Sequence, residues 1–283
     1  MGFQAIWAIS LVHLFPPKHH GQALPILREA LSISPNNIRC LFAHAYIFQT
    51  AADWIPAAEE FEKICALTDD SVDGLKAWEE QAWCHWQATH DEADIQTLRT
   101  ILDRLDDNLQ EHGQDAARCL WRIGRCHWDQ EGTCRNQLYL WLTLDNSLGK
   151  SREEAYPYFI KSLERDPTFA PAFTSLGLYY AEVAIPPDFV RASKCYQKAF
   201  EIDPRENVAA RKLAEGFAED REWDLVEVVA KRTIEGEGGL DVGTQESNSS
   251  ANHFVPTNAW AWKAVGIIEL VRTQRLYIWG LTV

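Results

Sequence analysis

The sequence predicts an all-α fold, a solenoid in which antiparallel helix pairs stack into a right-handed superhelix. Three observations predict it. Apolar residues recur at helical spacing along most of the 283 residues. A column of small, large, small and turn residues returns at a fixed interval: Ala23, Leu27, Ala30 and Pro35 are followed 34 residues later by Ala57, Phe61, Ile64 and Asp69. The column comes back as Ala155, Phe159, Ser162 and Pro167, and again as Ala192, Tyr196, Ala199 and Pro204. Finally, Gly124, Gly177 and Gly266 each interrupt an apolar helical stripe at the point where a facing helix would approach.

A 34-residue period with this column is the pattern of tetratricopeptide (TPR) helix pairs. Phe173, Leu176, Gly177 and Tyr180 fit the first-helix pattern; Leu120, Ile123, Gly124 and His127 fit it more loosely, and Trp262, Val265 and Gly266 fit it near the end. Large residues at i, i+3 and i+7 make one apolar stripe on a helix of 3.6 residues per turn.

The elements follow in order. Residues 3–15 form a first helix, stopped by Pro16-Pro17, because proline lacks the donor that would continue the ladder. Residues 19–33 form its partner, and Ser34-Pro35 turns the chain. Residues 38–49 and 54–67 make the second pair, and 75–88 and 92–110 the third. Residues 116–129 open a fourth pair whose partner, 151–165, follows only after the stretch 133–150. Residues 171–183 with 188–202 and 207–218 with 223–234 complete six pairs. Asp166-Pro167 and Asp203-Pro204 end second helices.

The expected domains are a TPR array over 1–235, a flexible loop over 236–258 rich in Gly, Ser and Asn, and the start of a truncated repeat with an atypical tail over 259–283. Pro167 to Pro204 spans 37 residues, which the Pro186-Pro187 corner absorbs. Gly124 to Pro167 spans 43 residues where the period expects 24, and the 18 residues of 133–150 account for nearly all of that excess. That stretch and the ending VRTQRLYIWGLTV read either as real insertions or as translated non-coding sequence. Transcript sequencing that finds both in the spliced message excludes the second alternative.

Composition narrows function. With 41 acidic and 27 basic side chains the net charge is −14, which repels phosphate backbones and argues against direct nucleic-acid contact. Arg118, Arg122 and Arg125 share one helix face, a stripe expected to pair with acidic residues of a neighbouring helix. Seven cysteines without paired spacing read as buried reduced thiols. Cys84-His85 and Cys126-His127 lack metal-ligand spacing, so no metal and no cofactor are expected. No apolar run is long enough for a membrane span, and the N-terminal stretch lacks the basic region and cleavage site of a signal peptide. Ile6 stands where a myristoylation signal needs Ser or Thr.

No catalytic motif occurs, so no enzyme is expected. The acidic pairs Asp69-Asp70, Asp106-Asp107 and Glu153-Glu154 read as solvated or helix-dipole partners. His13, His19 and His20 read as loop or surface histidines around the Pro16-Pro17 turn. A carboxylate clamp of the chaperone type needs Lys and Asn beside the Leu-Gly pair, where Thr174, Leu178, Trp121 and Arg125 stand instead. Twelve tryptophans, clustered at Trp78, Trp83, Trp86, Trp121, Trp128, Trp260 and Trp262, read as inter-repeat core or as aromatic anchors of a binding face.

From Arg152 to Glu227 the segments EEAYPYFIKSLERDPTFAPAFTSLGLYYAE and ASKCYQKAFEIDPRENVAARKLAEGFAEDREWDLVEVVAKR resemble the superkiller protein 3 family, the TPR scaffold of the Ski complex. QALPILREALSISPNN, EEQAWCHWQA and ARCLWRIGRCHWD resemble its fungal forms, so the resemblance covers roughly residues 20–132 and 151–270. It implies a non-enzymatic cytoplasmic scaffold, with a nuclear pool compatible, that holds an RNA helicase subunit, WD-repeat subunits and exosome-linked factors for 3′–5′ mRNA decay. It also implies that the chain is a fragment of a longer scaffold. The repeat columns alone imply only a protein-interaction adaptor, which remains the alternative.

Overall fold

The computed structural model describes residues 2–68, 71–106, 109–134, 150–239 and 258–280. Among them the chain forms thirteen helices and no strand: α1 Phe3–His13, α2 His20–Ile33, α3 Ile38–Thr50, α4 Trp54–Thr68, α5 Val72–Thr89, α6 Glu92–Asp106, α7 Leu109–Cys134, α8 Lys150–Arg165, α9 Ala170–Glu182, α10 Phe189–Ile202, α11 Asn207–Glu219, α12 Trp223–Gly236 and α13 Ala259–Gly280. Consecutive helices pack as antiparallel pairs, and first helices of neighbouring pairs also touch, as α5 with α7 and α7 with α9. The architecture is an all-α TPR solenoid.

The repeat column sits where helices meet. Ala23, Leu27, Ala57, Phe61, Ala155, Phe159, Ala192 and Ala199 are at most 2% exposed, Tyr196 is buried and Ala30 is partly buried. Each fully buried large side chain of this kind contributes roughly 1.5–3 kcal/mol. Leu176 is buried and Tyr180 half-buried against the same clusters. A Cβ on Gly124 would lie under 3.0 Å from the Phe159 ring, and one on Gly177 equally close to the Tyr196 ring. In these two pairs the aromatic member of the column occupies the space that the glycine leaves on the partner helix. Ser162 replaces the small residue of its repeat without leaving an orphan polar group, because its hydroxyl donates to Ala117 O at 2.7 Å. Pro35 and Pro167 are exposed and Pro204 half-buried, all in the turns after second helices.

Local capping explains several starts. Asn37, Ser71 and Asp188 each accept from the backbone N–H three residues on, at 3.3, 3.1 and 2.9 Å. α7 merges what the sequence presents as one helix with an extra turn, bending at His112, where φ is −119°.

Three elements depart from expectation. His20 is buried rather than at the surface: its Nε2 meets Val12 O at 3.0 Å, so the ring satisfies a carbonyl at the end of α1. Gly266 is exposed, with nothing within 4 Å of an added Cβ, because no described helix faces it. α13 does not end near Leu270 but continues through Gly280, and Arg272 ties it to Asp224 at 3.1 Å and Glu227 at 2.6 Å. The expected insertion 133–150 and loop 236–258 fall largely outside the described residues, as do Asp69, Asp70 and Asp107.

The array curls far enough for its ends to meet. The Lys18 ammonium at the α1–α2 turn donates to Gly238 O beyond α12 at 2.9 Å. Gly238 has φ +92°, and a Cβ there would lie 2.9 Å from the Phe15 ring. The first and sixth pairs are thereby in contact.

Candidate interaction surface

α5 and α7, first helices of neighbouring pairs, meet across a charged contact. Arg118 forks onto Glu79, with Nη2 2.6 Å from Oε2 and Nε 3.2 Å from Oε1. Arg122 reaches Glu80 Oε2 at 2.7 Å. Its Nη1 lies 3.1 Å from Glu79 Oε1 in ion-pair contact, but off the line of a hydrogen bond. Gln49 on α3 donates to Glu80 at 2.7 Å. Glu79 and Arg122 are 1% and 5% exposed. Burial pulls the Glu80 carboxyl upward, yet the Arg122 and Arg118 guanidiniums outweigh it and hold it below the usual carboxylate range. The arginine stripe is therefore a structural tie between pairs. Arg125, the third member, pairs with Asp129 on its own helix at 2.8 Å.

Beside this network lies a cavity of about 280 Å³. Trp54, Trp83 and Trp121 line it from α4, α5 and α7, with Leu178 from α9 and Val208 from α11. The Trp83 and Trp121 ring centroids are 5.8 Å apart. Trp121 Nε1 donates to Ser175 Oγ at 2.9 Å, which fixes the indole plane. Gln87, Arg125, Asp129, Thr174, Ser175 and Glu206 supply the polar lining. Burial pushes the Glu206 carboxyl up, partly offset by a hydrogen bond from the Thr174 hydroxyl. The same hydroxyl lies 3.4 Å from Ala170 O. It has one proton, and a carboxylate is the better acceptor.

A larger, apolar cavity of about 870 Å³ lies between α11, α12 and α13, lined by Trp223, Leu225, Trp260, Ile267, Ile268 and Val271. Trp260 and Trp262 themselves are partly covered, and Trp260 Nε1 donates to Asn258 Oδ1 at 3.0 Å. On α13 the exposed apolar residues are Ile267, Leu270 and Val271, one to three turns further along, and Trp223 and Leu225 are exposed on α12.

The remaining candidates resolve into packing. Trp86 and Trp128 are buried core, while Trp78, Trp83 and Trp121 are half-buried. Cys40, Cys84, Cys119 and Cys126 are buried free thiols. Burial pushes the Cys65 thiol up to about 11 and that of Cys84 to about 12, so both stay protonated near neutrality. His85 bonds Asp94 at 2.7 Å, and His127 stacks on Tyr158 with centroids 5.4 Å apart. Among the described residues no group of three or more His, Cys, Asp or Glu converges on a metal position, and no helix is long and apolar enough to cross a membrane.

Three histidines, His13, His20 and His127, make stability pH-dependent, the last two through the deepest burial. Burial holds the His20 imidazole below its ordinary 6.5, outweighing the opposing Val12 carbonyl, and burial with the Arg99 charge does the same for His127. The folded state thus binds these protons less readily than the unfolded chain. Their full contribution is present above pH 6.5 and is lost as pH falls below it. Thermal unfolding followed from about pH 7.5 to about pH 5.5 is expected to show a falling Tm, with a shallower slope in His20→Gln/His127→Gln. Equal slopes in the variant and the parent would refute this assignment.

No family model matches the chain. Among curated proteins it is similar to superkiller protein 3 of Schizosaccharomyces pombe, 29% identical over 95% of this chain and 17% of that protein. It is also similar to superkiller protein 3 of Saccharomyces cerevisiae, 24% identical over 91% of this chain and 16% of that protein. Tetratricopeptide repeat protein 37 of Xenopus laevis is 30% identical over 43% of this chain and 7% of that protein. The resemblance read from the sequence thus extends along nearly the whole chain, and the chain spans about a sixth of the length of the two superkiller relatives. Among solved structures, a human IFIT1 dimer with m7Gppp-AAAA superposes at a TM-score of 0.56, with 17% identity over 96% of this chain and 55% of that one. A monomeric IFIT1 mutant gives 0.54, with 17% identity over 83% and 50%. At that identity the likeness describes the fold alone.

Proposed function

We propose that this chain is part of a non-enzymatic TPR scaffold that assembles the Ski complex, joining an RNA helicase to WD-repeat subunits for exosome-mediated 3′–5′ decay of cytoplasmic mRNA. The observation that carries the reading is the similarity to superkiller protein 3 along 95% of the chain. The structure supports the scaffold part: stacked helix pairs present extended surfaces suited to protein partners, and the Arg122, Glu79 and Glu80 charges between α5 and α7 are committed to holding pairs together. No cofactor enters this reading. Size-exclusion chromatography of the chain with the helicase and WD-repeat subunits of the same organism tests it. Co-elution with either is expected; elution apart from both would overturn the assignment of this segment to that assembly.

A further inference from the structure

We propose that the pocket formed by Trp54, Trp83 and Trp121 is a docking site for a lysine or arginine side chain of a protein partner. Three elements bring the indoles to one cavity of about 280 Å³. Indole faces attract cations through their quadrupole, and Trp83 already carries one guanidinium, that of Arg122, 5.4 Å from its ring centroid. The polar lining selects the sign of the occupant. Arg125 is neutralised by Asp129 at 2.8 Å. Glu206 takes a hydrogen bond from Thr174 and forms no salt bridge among the described residues. Arg125 therefore faces two carboxyls, Asp129 and Glu206, and the pocket keeps a net negative lining among aromatic walls, at a depth where burial disfavours the Glu206 charge. An incoming ammonium or guanidinium supplies the missing counter-charge and stacks on the indoles. An apolar side chain would desolvate Glu206 further and add no counter-charge. An anion would meet Glu206 inside a chain of net charge −14.

This inference rests on the scaffold reading, since the cation comes from a bound protein. Its test is separate. The probes are the peptides Ac-Gly-Gly-Lys-Gly-Gly-NH2 and Ac-Gly-Gly-Arg-Gly-Gly-NH2, with a norleucine peptide of the same length as the uncharged control. They are titrated into the full 283-residue chain while the indole ¹H–¹⁵N resonances of Trp54, Trp83 and Trp121 are followed. The basic peptides are expected to shift those resonances saturably, and norleucine to bind about tenfold more weakly or worse. Glu206→Gln is expected to weaken the basic peptides about tenfold while leaving the helical circular dichroism unchanged. Trp54→Ala, which removes the indole that α4 contributes, is expected to weaken them similarly. Equal responses to lysine and norleucine, or silent indoles with both basic peptides, would overturn the proposal. Silent indoles with intact subunit co-elution reject the pocket alone. Responsive indoles without co-elution reject the assembly and keep the pocket.

Discussion

Arg122→Ala is expected to destabilise the fold by about 3–5 kcal/mol, because it leaves two buried carboxylates to share the single guanidinium of Arg118. Glu79 is 1% exposed and Glu80 9%. In the native chain Arg122 touches both, and Arg118 on the same helix face shares them. The net worth of such a network against an apolar replacement is small, but breaking it from one side is costly. The penalty has its own pH signature. Without Arg122 the Glu80 carboxyl loses the largest of the charges that hold it down against burial, so the folded variant takes up that proton more readily as pH falls. The deficit relative to the parent is therefore expected to narrow toward about pH 5. Urea denaturation of parent and variant at both pH values reads this directly. A deficit below about 1 kcal/mol, the range of exposed pairs, would mean that Arg122 is not the tie described here.

Phe159→Ala is expected to cost about 3–5 kcal/mol, and its partner is identifiable. Phe159 is fully buried, and its ring occupies the space that the missing Cβ of Gly124 leaves open. Gly124→Ala alone gains up to about 1 kcal/mol in helix propensity but overpacks this contact, which costs about 1–3 kcal/mol. In Phe159→Ala the same methyl enters vacated space. The double variant is thus expected to lose less than the two single losses together, with a coupling above about 0.5 kcal/mol. Strict additivity would contradict the interlock. Gly177 and Tyr196 repeat the geometry one pair along and provide an independent second cycle.

The fold was legible because its logic is periodic. The small and aromatic positions from Ala23 to Ala199 are spaced by the repeat, and each pair folds by local contacts. What was not legible depends on partners from distant sequence. The Arg118–Arg122 stripe suggested acidic neighbours, yet only the stacking of α7 on α5 identifies them as Glu79 and Glu80. His20 looked like a turn residue because its partner is a backbone carbonyl, Val12 O, which no side-chain pattern reveals. Gly266 matches its column but faces no helix among the described residues. The ending after Leu270 breaks the TPR pattern and still extends α13, since helix continuation needs backbone hydrogen bonds and not the repeat's side chains. The tryptophan pocket was half visible. Trp83 and Trp121 stood out at helical spacing, whereas Trp54, Glu206 and Val208 join them only because the array curls.

The pocket and the scaffold reading meet at one question: what the full-length protein holds. Affinity purification of the full-length gene product from cytoplasmic extract, with mass-spectrometric identification of what co-purifies, tests this most directly. Recovery of an RNA helicase together with a WD-repeat protein is expected. Recovery of chaperones alone would contradict the scaffold reading.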